Sequence, residues 1–268
     1  MVHNLLLTNE GLGEAIQPLL QSAGQATLKH FRTQLSVDNK AVPGQFDPVT
    51  EADKLCETII RDGLAKQFPD HRIVGEEFGG ELGEGMTWVI DPIDGTRSFM
   101  SGMLHWGLLL GLYDGLEPIF GAMYQPFTNE LWIGDGRSAR YQRGEFQQPI
   151  TVSPCEELAL ATLATTTPEM FKSTAELAAF DSVRQAARQV RYGGDCYLYS
   201  LIAMGHIDLG VEASLQPYDI AALIPIIRGA GGVVTGWRGE SPALGGRILA
   251  AGDARVHEAA LGMLSTVD

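Results

Sequence analysis

The chain has 268 residues, 45% of them hydrophobic, and a formal net charge of -14 at pH 7. No apolar run approaches the roughly 20 residues that a membrane-spanning helix needs, which argues against an integral membrane protein. The acidic balance argues against nucleic acid as a partner, because such binding draws most of its affinity from Lys and Arg on phosphates.

The cysteines and the N-terminal residues indicate a reducing compartment. Cys56, Cys155 and Cys196 are too few and too scattered for a disulfide framework. Residues 5–7 are apolar but lack the basic leader and the small-residue cleavage site of a signal peptide. We therefore expect a cytoplasmic protein.

Two helices, at about residues 9–32 and 51–67, are the first predicted elements. Thr50 is placed to cap the second helix, and Asp53, three residues later, has the position of the acid in a capping box. The alternative is that Asp53 acts as a general base. The local sequence is compatible with both interpretations.

The first predicted strand ends on two adjacent acids. Ile73 and Val74 are apolar, and Gly75, Glu76 and Glu77 follow them. Adjacent side chains on an extended chain face opposite ways, so we expect only one of the two glutamates to face a site directly.

The next apolar run delivers an acid at its end. Val89 and Ile90 are typical of a buried strand, and Asp91 and Pro92 follow. Because proline cannot donate to a continuing ladder, the strand is predicted to stop at Asp91.

A turn is predicted next, and it would place Asp94, Gly95 and Thr96 close to Asp91. Asp94 precedes Gly95, which can take backbone angles barred to other residues, and Thr96 is a predicted N-cap. Two carboxylates about 4 Å apart repel by about 4 kcal/mol at an effective dielectric of about 20, so Asp91 and Asp94 call for a cation. The alternative is an ordinary solvated Asp-Gly turn.

The remaining elements change character near residue 150. Before it, runs at 105–113, 118–124 and 131–133 are spaced like antiparallel strands. After it, strands predicted at 158–165, 207–211, 233–235 and 248–251 alternate with helices predicted at 174–187, 196–204, 220–228 and 257–264. No linker or repeat divides the chain, so one unit is the simplest interpretation.

A further acid lies far downstream. Asp219 falls in the first turn of an apolar helix that Pro217 opens, where taken alone it is a helix-dipole partner. With Asp91, Asp94 and Glu76 it would supply a fourth carboxylate. Ligands that are all oxygen atoms suit magnesium or manganese better than zinc.

Three motifs together resemble the inositol monophosphatase superfamily in order and approximate spacing. They are Gly75-Glu76-Glu77, residues 91–96, and Tyr218-Asp219-Ile220-Ala221-Ala222. The resemblance covers nearly the whole chain and implies a layered α/β (α+β) fold, an αβαβα sandwich of two subdomains in a single phosphatase domain, 1–268. Residues 1–150 would carry most metal ligands, and residues 151–268 would carry the substrate contacts and Asp219. It also implies a homodimer.

The resemblance implies a role for each matching residue. Asp91 would bridge two Mg²⁺ ions, Glu76 and the backbone carbonyl of Ile93 would complete the first, and Asp94 and Asp219 would hold the second. A third, weaker ion near Glu76 is common in the family, and Mn²⁺ is a possible substitute. The implied reaction is phosphate monoester hydrolysis by metal-activated water. The implied catalytic set is Asp53, Thr96 and Glu76.

Substrate contacts are expected from residues in both halves. The amides of Gly95 and Thr96 would hold phosphate oxygens. Residues 95–99, 165–171 and 193–197 resemble the histidinol-phosphate phosphatase branch, and Arg97 stands where inositol phosphatases usually have another residue. Glu212, Asp195 and the adjacent Gly194 are the further predicted substrate residues, with the two acids pairing with an ammonium and an imidazole. A helix cap or a first-turn acid is the alternative for Asp195.

Three functions are therefore considered. Hydrolysis of histidinol phosphate to histidinol, in histidine biosynthesis, is the leading hypothesis, and a myo-inositol or other polyol monophosphatase is the alternative. The third, a non-catalytic metal-binding protein, is disfavoured because the catalytic set is complete.

Overall fold

The computed structural model describes residues 9–34, 37–39 and 48–267, so the predicted features at residues 5–7 lie outside the described residues. The helices are α1 (Asn9–Leu28), α2 (Glu51–Gln67), α3 (Thr96–Met100), α4 (Thr174–Ala186), α5 (Asp195–Ala203), α6 (Pro217–Ile220), α7 (Leu223–Gly229) and α8 (Ala254–Leu264). The strands are β1 (Val37–Asn39), β2 (Pro48–Thr50), β3 (Arg72–Gly75), β4 (Thr87–Asp94), β5 (Gly107–Tyr113), β6 (Pro118–Gln125), β7 (Glu130–Gly134), β8 (Ala139–Arg143), β9 (Phe146–Pro149), β10 (Thr162–Thr165), β11 (Gln189–Tyr192), β12 (Leu209–Leu215), β13 (Val233–Gly236) and β14 (Gly246–Ala251).

The strands form two large sheets that follow each other along the chain. The first has seven strands in the order β3-β4-β5-β6-β7-β8-β9, with only β3 and β4 parallel. The second has five strands in the order β11-β10-β12-β14-β13, in which β10 runs parallel to β11 and β12. Strands β1 and β2 form a separate antiparallel pair.

Helices lie in three layers around these sheets. α1 and α2 pack on one face of the seven-stranded sheet, α5 and α7 lie between the sheets, and α4 and α8 cover the far face of the second sheet. Successive side chains of a strand point to opposite faces of the sheet, and this separates the two hydrophobic cores. Leu108 and Leu110 of β5 belong to the core under α1 and α2, whereas Leu109 belongs to the core between the sheets. The predicted layered α/β architecture is confirmed.

A row of glycines crosses the middle of the first sheet. Gly111, Gly121 and Gly134 are paired across β5, β6 and β7. A Cβ atom on Gly121 would lie 1.9 Å from the carbonyl oxygen of Ala222, and one on Gly134 would lie 2.5 Å from the Cα of Ile226. The segment that joins α6 to α7, which contains Ala222, and α7 itself, which contains Ile226, therefore rest directly on the sheet backbone.

Strand β4 continues beyond its predicted end at Asp91. Asp91 pairs with Leu109 and Asp94 pairs with Gly107, so two residues of β4 oppose one of β5. This is a β-bulge, and Pro92 is tolerated there because the ladder is interrupted. The prediction that the strand stops at Asp91 was wrong.

Other predicted boundaries needed smaller corrections. The first half of the strand predicted at 158–165 is instead a 3₁₀ turn, Leu158–Leu160, and only Thr162–Thr165 is a strand. The helix predicted at 220–228 is two helices, α6 and α7, which meet at Ala221 and Ala222. Among the described residues, no helix combines the length and the apolar character needed to cross a membrane.

Candidate active site

Asp91 and Asp94 lie on either side of the β4 bulge. Asp91 is 1% exposed, and its Oδ1 accepts a hydrogen bond of 3.1 Å from the amide of Ile93. Asp94 accepts a hydrogen bond of 2.6 Å at Oδ2 from the amide of Cys196. That amide lies in the first turn of α5, where free N–H groups favour an anion. The bulge thus directs both acids toward the second half of the chain.

Asp219 reaches the same place from α6. Its Oδ2 accepts a hydrogen bond of 2.6 Å from the amide of Gln216, which fixes the carboxylate at the helix start. Carboxylate oxygens of Asp91, Asp94 and Asp219 lie within 4.8 Å of one another. The structure therefore brings together three of the four predicted metal-ligating carboxylates.

Glu76 completes the acidic group from the end of β3. Its amide donates to the carbonyl of Ile90, 3.1 Å away and one residue before Asp91. Burial raises the pKa of Asp91 well above its usual range, and Glu76 is the neighbouring charge that raises it most. The next residue, Glu77, donates its amide to Glu57 instead. Glu76 is therefore the glutamate of the pair that lies beside Asp91.

This acidic group fits a hard divalent cation. Burial also raises the pKa of Asp94 well above its usual range, with the charges of Asp219 and Asp195 adding to the effect. A cluster of buried carboxylates that oppose one another's ionisation favours either protons or a cation. The donors are oxygen atoms, which suits Mg²⁺ or Mn²⁺.

We expect the protein without divalent cations to be less stable at pH 8 than at pH 5. The folded-state pKa values of Asp91 and Asp94 are raised. Folding stability therefore falls as the pH rises above about 4 toward those values, because the folded state binds more protons than the unfolded state. A saturating divalent cation should remove this contribution. Thermal unfolding at both pH values, with chelator and with Mg²⁺, measures it, and an identical pH dependence under both conditions would contradict the prediction.

Thr96 and Asp53, the predicted catalytic pair, each form hydrogen bonds with nearby residues. Gly95, at a φ of 80°, is the N-cap of α3, so the prediction that Thr96 is the cap was wrong. The Thr96 hydroxyl donates to the carbonyl of Ile93 at 3.1 Å. Asp53 is buried, and its Oδ2 accepts from the amide and hydroxyl of Thr50 at 2.8 and 2.6 Å. The capping box is thus present, whereas the catalytic roles of Asp53 and Thr96 stay predictions.

A cavity of about 130 Å³ adjoins the acids. It is lined by Asp94, Thr166, Met170, Asp195, Cys196, Tyr199, Glu212, Leu215 and Asp219. The lining therefore combines two of the predicted metal ligands with both predicted substrate acids, and it draws residues from both sheets.

Asp195 is held in an unusual backbone conformation at the cavity wall. It is the first residue of α5 and has a φ of 42°, in the left-handed region that favours glycine. Its Oδ2 accepts a hydrogen bond of 2.6 Å from the hydroxyl of Ser98. Burial raises the pKa of Asp195, while Ser98, His105 and Arg97 oppose that rise. Asp195 is a first-turn acid, as the alternative stated, but its side chain also lies in the cavity.

Gly194 and Gly95 occupy tightly packed positions near this acid. Gly194 is the N-cap of α5, and a Cβ there would lie 2.6 Å from the Cβ of Leu198. A Cβ on Gly95 would lie 2.6 Å from the carbonyl oxygen of His105 and 3.1 Å from the side chain of Asp195. Neither position has room for a side chain.

Glu212 is fixed by hydrogen bonds at both carboxylate oxygens. Its Oε1 accepts from the amide of Thr166 at 2.7 Å, and its Oε2 accepts from the hydroxyl of Tyr199 at 3.0 Å. Burial raises the pKa of Glu212 to about 7, although these hydrogen bonds lower it. The carboxyl is therefore poised between its neutral and ionised forms near neutral pH.

Ser98 and His105 contribute to the site but were not predicted. Ser98 contacts Asp195 across 97 residues of sequence, so no local pattern could reveal it. The signal that was available is position, since Ser98 lies within the motif that also supplies Gly95 and Thr96.

Comparison with known proteins places the chain among phosphatases. The sequence profile of the inositol monophosphatase family matches residues 9–266. The bifunctional phosphatase IMPL2 of Arabidopsis thaliana is 38% identical over 256 residues, which cover 91% of this chain and 72% of that protein. A histidinol-phosphatase of Chlorobaculum parvum is 36% identical over 233 residues, covering 86% of this chain and 88% of that one.

A solved structure agrees with the sequence comparison. An inositol monophosphatase from Zymomonas mobilis superimposes with a TM-score of 0.83 at 35% identity, covering 95% of this chain and 98% of that one. The match of fold and of nearly the full sequence assigns the chain to phosphomonoesterases that depend on metal ions. The chain therefore belongs to the inositol monophosphatase family.

Proposed function

We propose that the protein hydrolyses L-histidinol phosphate to histidinol and phosphate. The observation that carries this proposal is a pair of acids, the half-buried Asp195 and the buried Glu212, in the cavity beside the metal-ligand cluster. Histidinol carries an ammonium group and an imidazole, and charge-assisted hydrogen bonds to carboxylates are the strong class of such contacts. A relative named histidinol-phosphatase, 36% identical, supports the same substrate.

A polyol phosphate such as myo-inositol 1-phosphate is the second candidate. Glu212, with a pKa raised to about 7, can accept or donate hydrogen bonds to sugar hydroxyls without a cationic partner. An inositol monophosphatase of Mesembryanthemum crystallinum is 36% identical over 222 residues, so sequence similarity supports both candidates.

Residues of the acidic group would hold the metal. Asp91, Asp94, Asp219, Glu76 and the carbonyl of Ile93 are the proposed ligands of two Mg²⁺ ions, with a third, weaker ion near Glu76 and Mn²⁺ as a possible substitute. When bound, the metal neutralises the phosphate and lowers the pKa of the attacking water.

The chain itself orients the phosphate and accepts the proton. The amides of Gly95 and Thr96, at the start of α3, are the proposed donors to phosphate oxygens. Thr96 and Asp53 are proposed to orient the water and to take its proton, with Asp53 as the final acceptor.

We also propose that the chain acts as a single phosphatase domain within a cytoplasmic homodimer. Cys56, Cys155 and Cys196 are all free and buried, which is compatible with a reducing compartment. Light scattering on the purified protein tests the dimer, and a monomer would remove that part of the proposal.

Comparison of two substrates tests the proposed specificity. With Mg²⁺ present, we expect kcat/KM for L-histidinol phosphate to exceed that for myo-inositol 1-phosphate by about 100-fold, or about 2.7 kcal/mol. Asp195→Asn should raise KM for histidinol phosphate by about tenfold, because it removes the negative charge that would pair with the positively charged groups of the substrate. It should change KM for the inositol ester less than about twofold.

A matched substitution distinguishes the effect of removing an acid at the site from the effect of removing an acid elsewhere on the surface. Asp70→Asn removes an exposed acid and should leave both KM values unchanged. If Asp195→Asn raises KM equally for both substrates, Asp195 is a structural residue. A preference for the inositol ester would favour the polyol phosphatase.

A further inference from the structure

Glu57 is a buried charged residue outside the metal-ligand group. Its side chain is 0% exposed, on a helix whose opposite face is open to solvent. Asp53, Glu57 and Arg61 follow each other at intervals of four residues along α2, so they share one face of the helix. An acid buried this deeply is stabilised only if its oxygens are fully engaged.

Glu57 binds the turn that carries Glu76. Its Oε1 accepts from Nε of Arg61 at 2.6 Å. Its Oε2 accepts from the amide of Glu77 at 2.7 Å, and Oε1 also accepts from the amide of Phe78 at 3.4 Å. The carboxylate therefore holds the two residues that directly follow Glu76.

Arg61 holds the other side of the same turn. Its guanidinium donates to the carbonyl of Ile73 at 3.4 Å and to the carbonyl of Gly79. It also lies over the ring of Phe78, 5.9 Å from the centroid. The turn itself is closed by two hydrogen bonds between Gly75 and Gly79, at 3.1 and 2.9 Å.

The Glu57 carboxylate packs directly against Gly75 and leaves no free space there. A Cβ atom on Gly75 would lie 1.9 Å from Oε1 of Glu57. Glu76 is thus fixed on one side by the hydrogen bond from its amide to the carbonyl of Ile90 in β4. On the other side it is fixed by a turn that is held by the Glu57 carboxylate.

We propose that Glu57 and Arg61 are positioning residues that hold Glu76 beside Asp91. They act through the turn at residues 75–79 and join it to α2, whose first turn carries Asp53. The inference rests on the proposed role of Glu76 as a metal ligand. It adds that the affinity for the metal depends on an ion pair that touches neither the metal nor the substrate.

Metal binding by the protein stripped with chelator is the test, with Mg²⁺ as the probe. Half-saturation is read both from the rise of the unfolding temperature with added Mg²⁺ and from titration calorimetry. Glu57→Gln should raise the half-saturating concentration by about tenfold, the usual size of an outer-shell effect, while kcat at saturating Mg²⁺ stays within about threefold. Arg61→Lys keeps the charge but loses the planar fork, and we expect about a threefold rise.

Controls distinguish positioning from general destabilisation. Asp181→Asn removes the partner of Arg184 in an exposed ion pair of 2.7 Å on α4 and should leave the half-saturating concentration unchanged. If Glu57 acts through Glu76, the double variant Glu57→Gln/Glu76→Gln should require no more Mg²⁺ than Glu76→Gln alone.

Each remaining outcome has one meaning. A lower unfolding temperature in chelator with unchanged Mg²⁺ half-saturation for both Glu57→Gln and Arg61→Lys would overturn the positioning role. If Glu57→Gln does not fold, Arg61→Lys alone decides. If Glu76→Gln binds Mg²⁺ as tightly as the unaltered protein, the proposed metal role of Glu76 fails, and the positioning inference falls with it.

Discussion

An Asp91→Asn variant is expected to lose about 10⁴-fold in kcat/KM, or about 5.5 kcal/mol of transition-state stabilisation, yet to unfold at a higher temperature without divalent cations. Asp91 is 1% exposed and close to Asp94 and Asp219. Asparagine keeps the shape and the acceptor for the Ile93 amide but removes the charge that the other acids oppose. Activity and stability should therefore change in opposite directions.

The two halves of this expectation are measured separately. Phosphate release with saturating Mg²⁺ gives kcat/KM, and thermal unfolding in chelator gives stability. Asp62→Asn, on the exposed side of α2, is the matched loss of one acid and should change neither quantity by much. Undiminished phosphatase activity in Asp91→Asn would overturn the enzymatic role of this acid, and an unfolding temperature that falls would contradict the account of its burial.

A Gly121→Ala variant is expected to lose about 3 kcal/mol of folding stability, or roughly 6 to 12 °C in Tm. The added methyl carbon would lie 1.9 Å from the carbonyl oxygen of Ala222 and 2.6 Å from its carbonyl carbon. Both are backbone atoms, so relief requires the segment between α6 and α7 to move away from the sheet. Because Asp219 precedes that segment by two residues, the affinity for Mg²⁺ should fall as well.

Gly262→Ala provides the control for this substitution. Gly262 lies in α8, and a Cβ there would have no atom within 4 Å. Alanine is favoured over glycine in a helix by about 1 kcal/mol, so this variant should be slightly more stable. Chemical denaturation of both variants tests the pair, and a Gly121→Ala protein as stable as the parent would refute the close approach of the two backbones.

Local patterns explain what the sequence could predict about the fold. The start of α2 was predicted correctly, because Thr50 and Asp53 form a capping box from residues three apart. The end of β4 was not, because the bulge depends on pairing with Leu109 and Gly107 in β5. Proline stops a strand only where the ladder is regular, and regularity is decided by the neighbouring strand.

The same distinction applies to the site. The spacing of the motifs led to Asp91, Asp94 and Asp219, which the structure brings together. The contacts that orient them join distant residues, as with the amide of Cys196 and the carboxylate of Asp94, which are 102 residues apart. Glu57 was also missed, because an acid inside an amphipathic helix is most often solvated.

The hydrogen bond between Asp94 and Cys196 makes the acidic group depend on both halves of the chain. It joins β4 of the seven-stranded sheet to the first turn of α5, and contacts between residues so far apart in sequence are among the slower ones for a chain to complete. A chain folded only in its first half would contain Asp91 and Asp94 but would lack Asp219 and the amide of Cys196. We therefore expect Mg²⁺ binding and phosphatase activity to appear only when both halves of the chain are folded together.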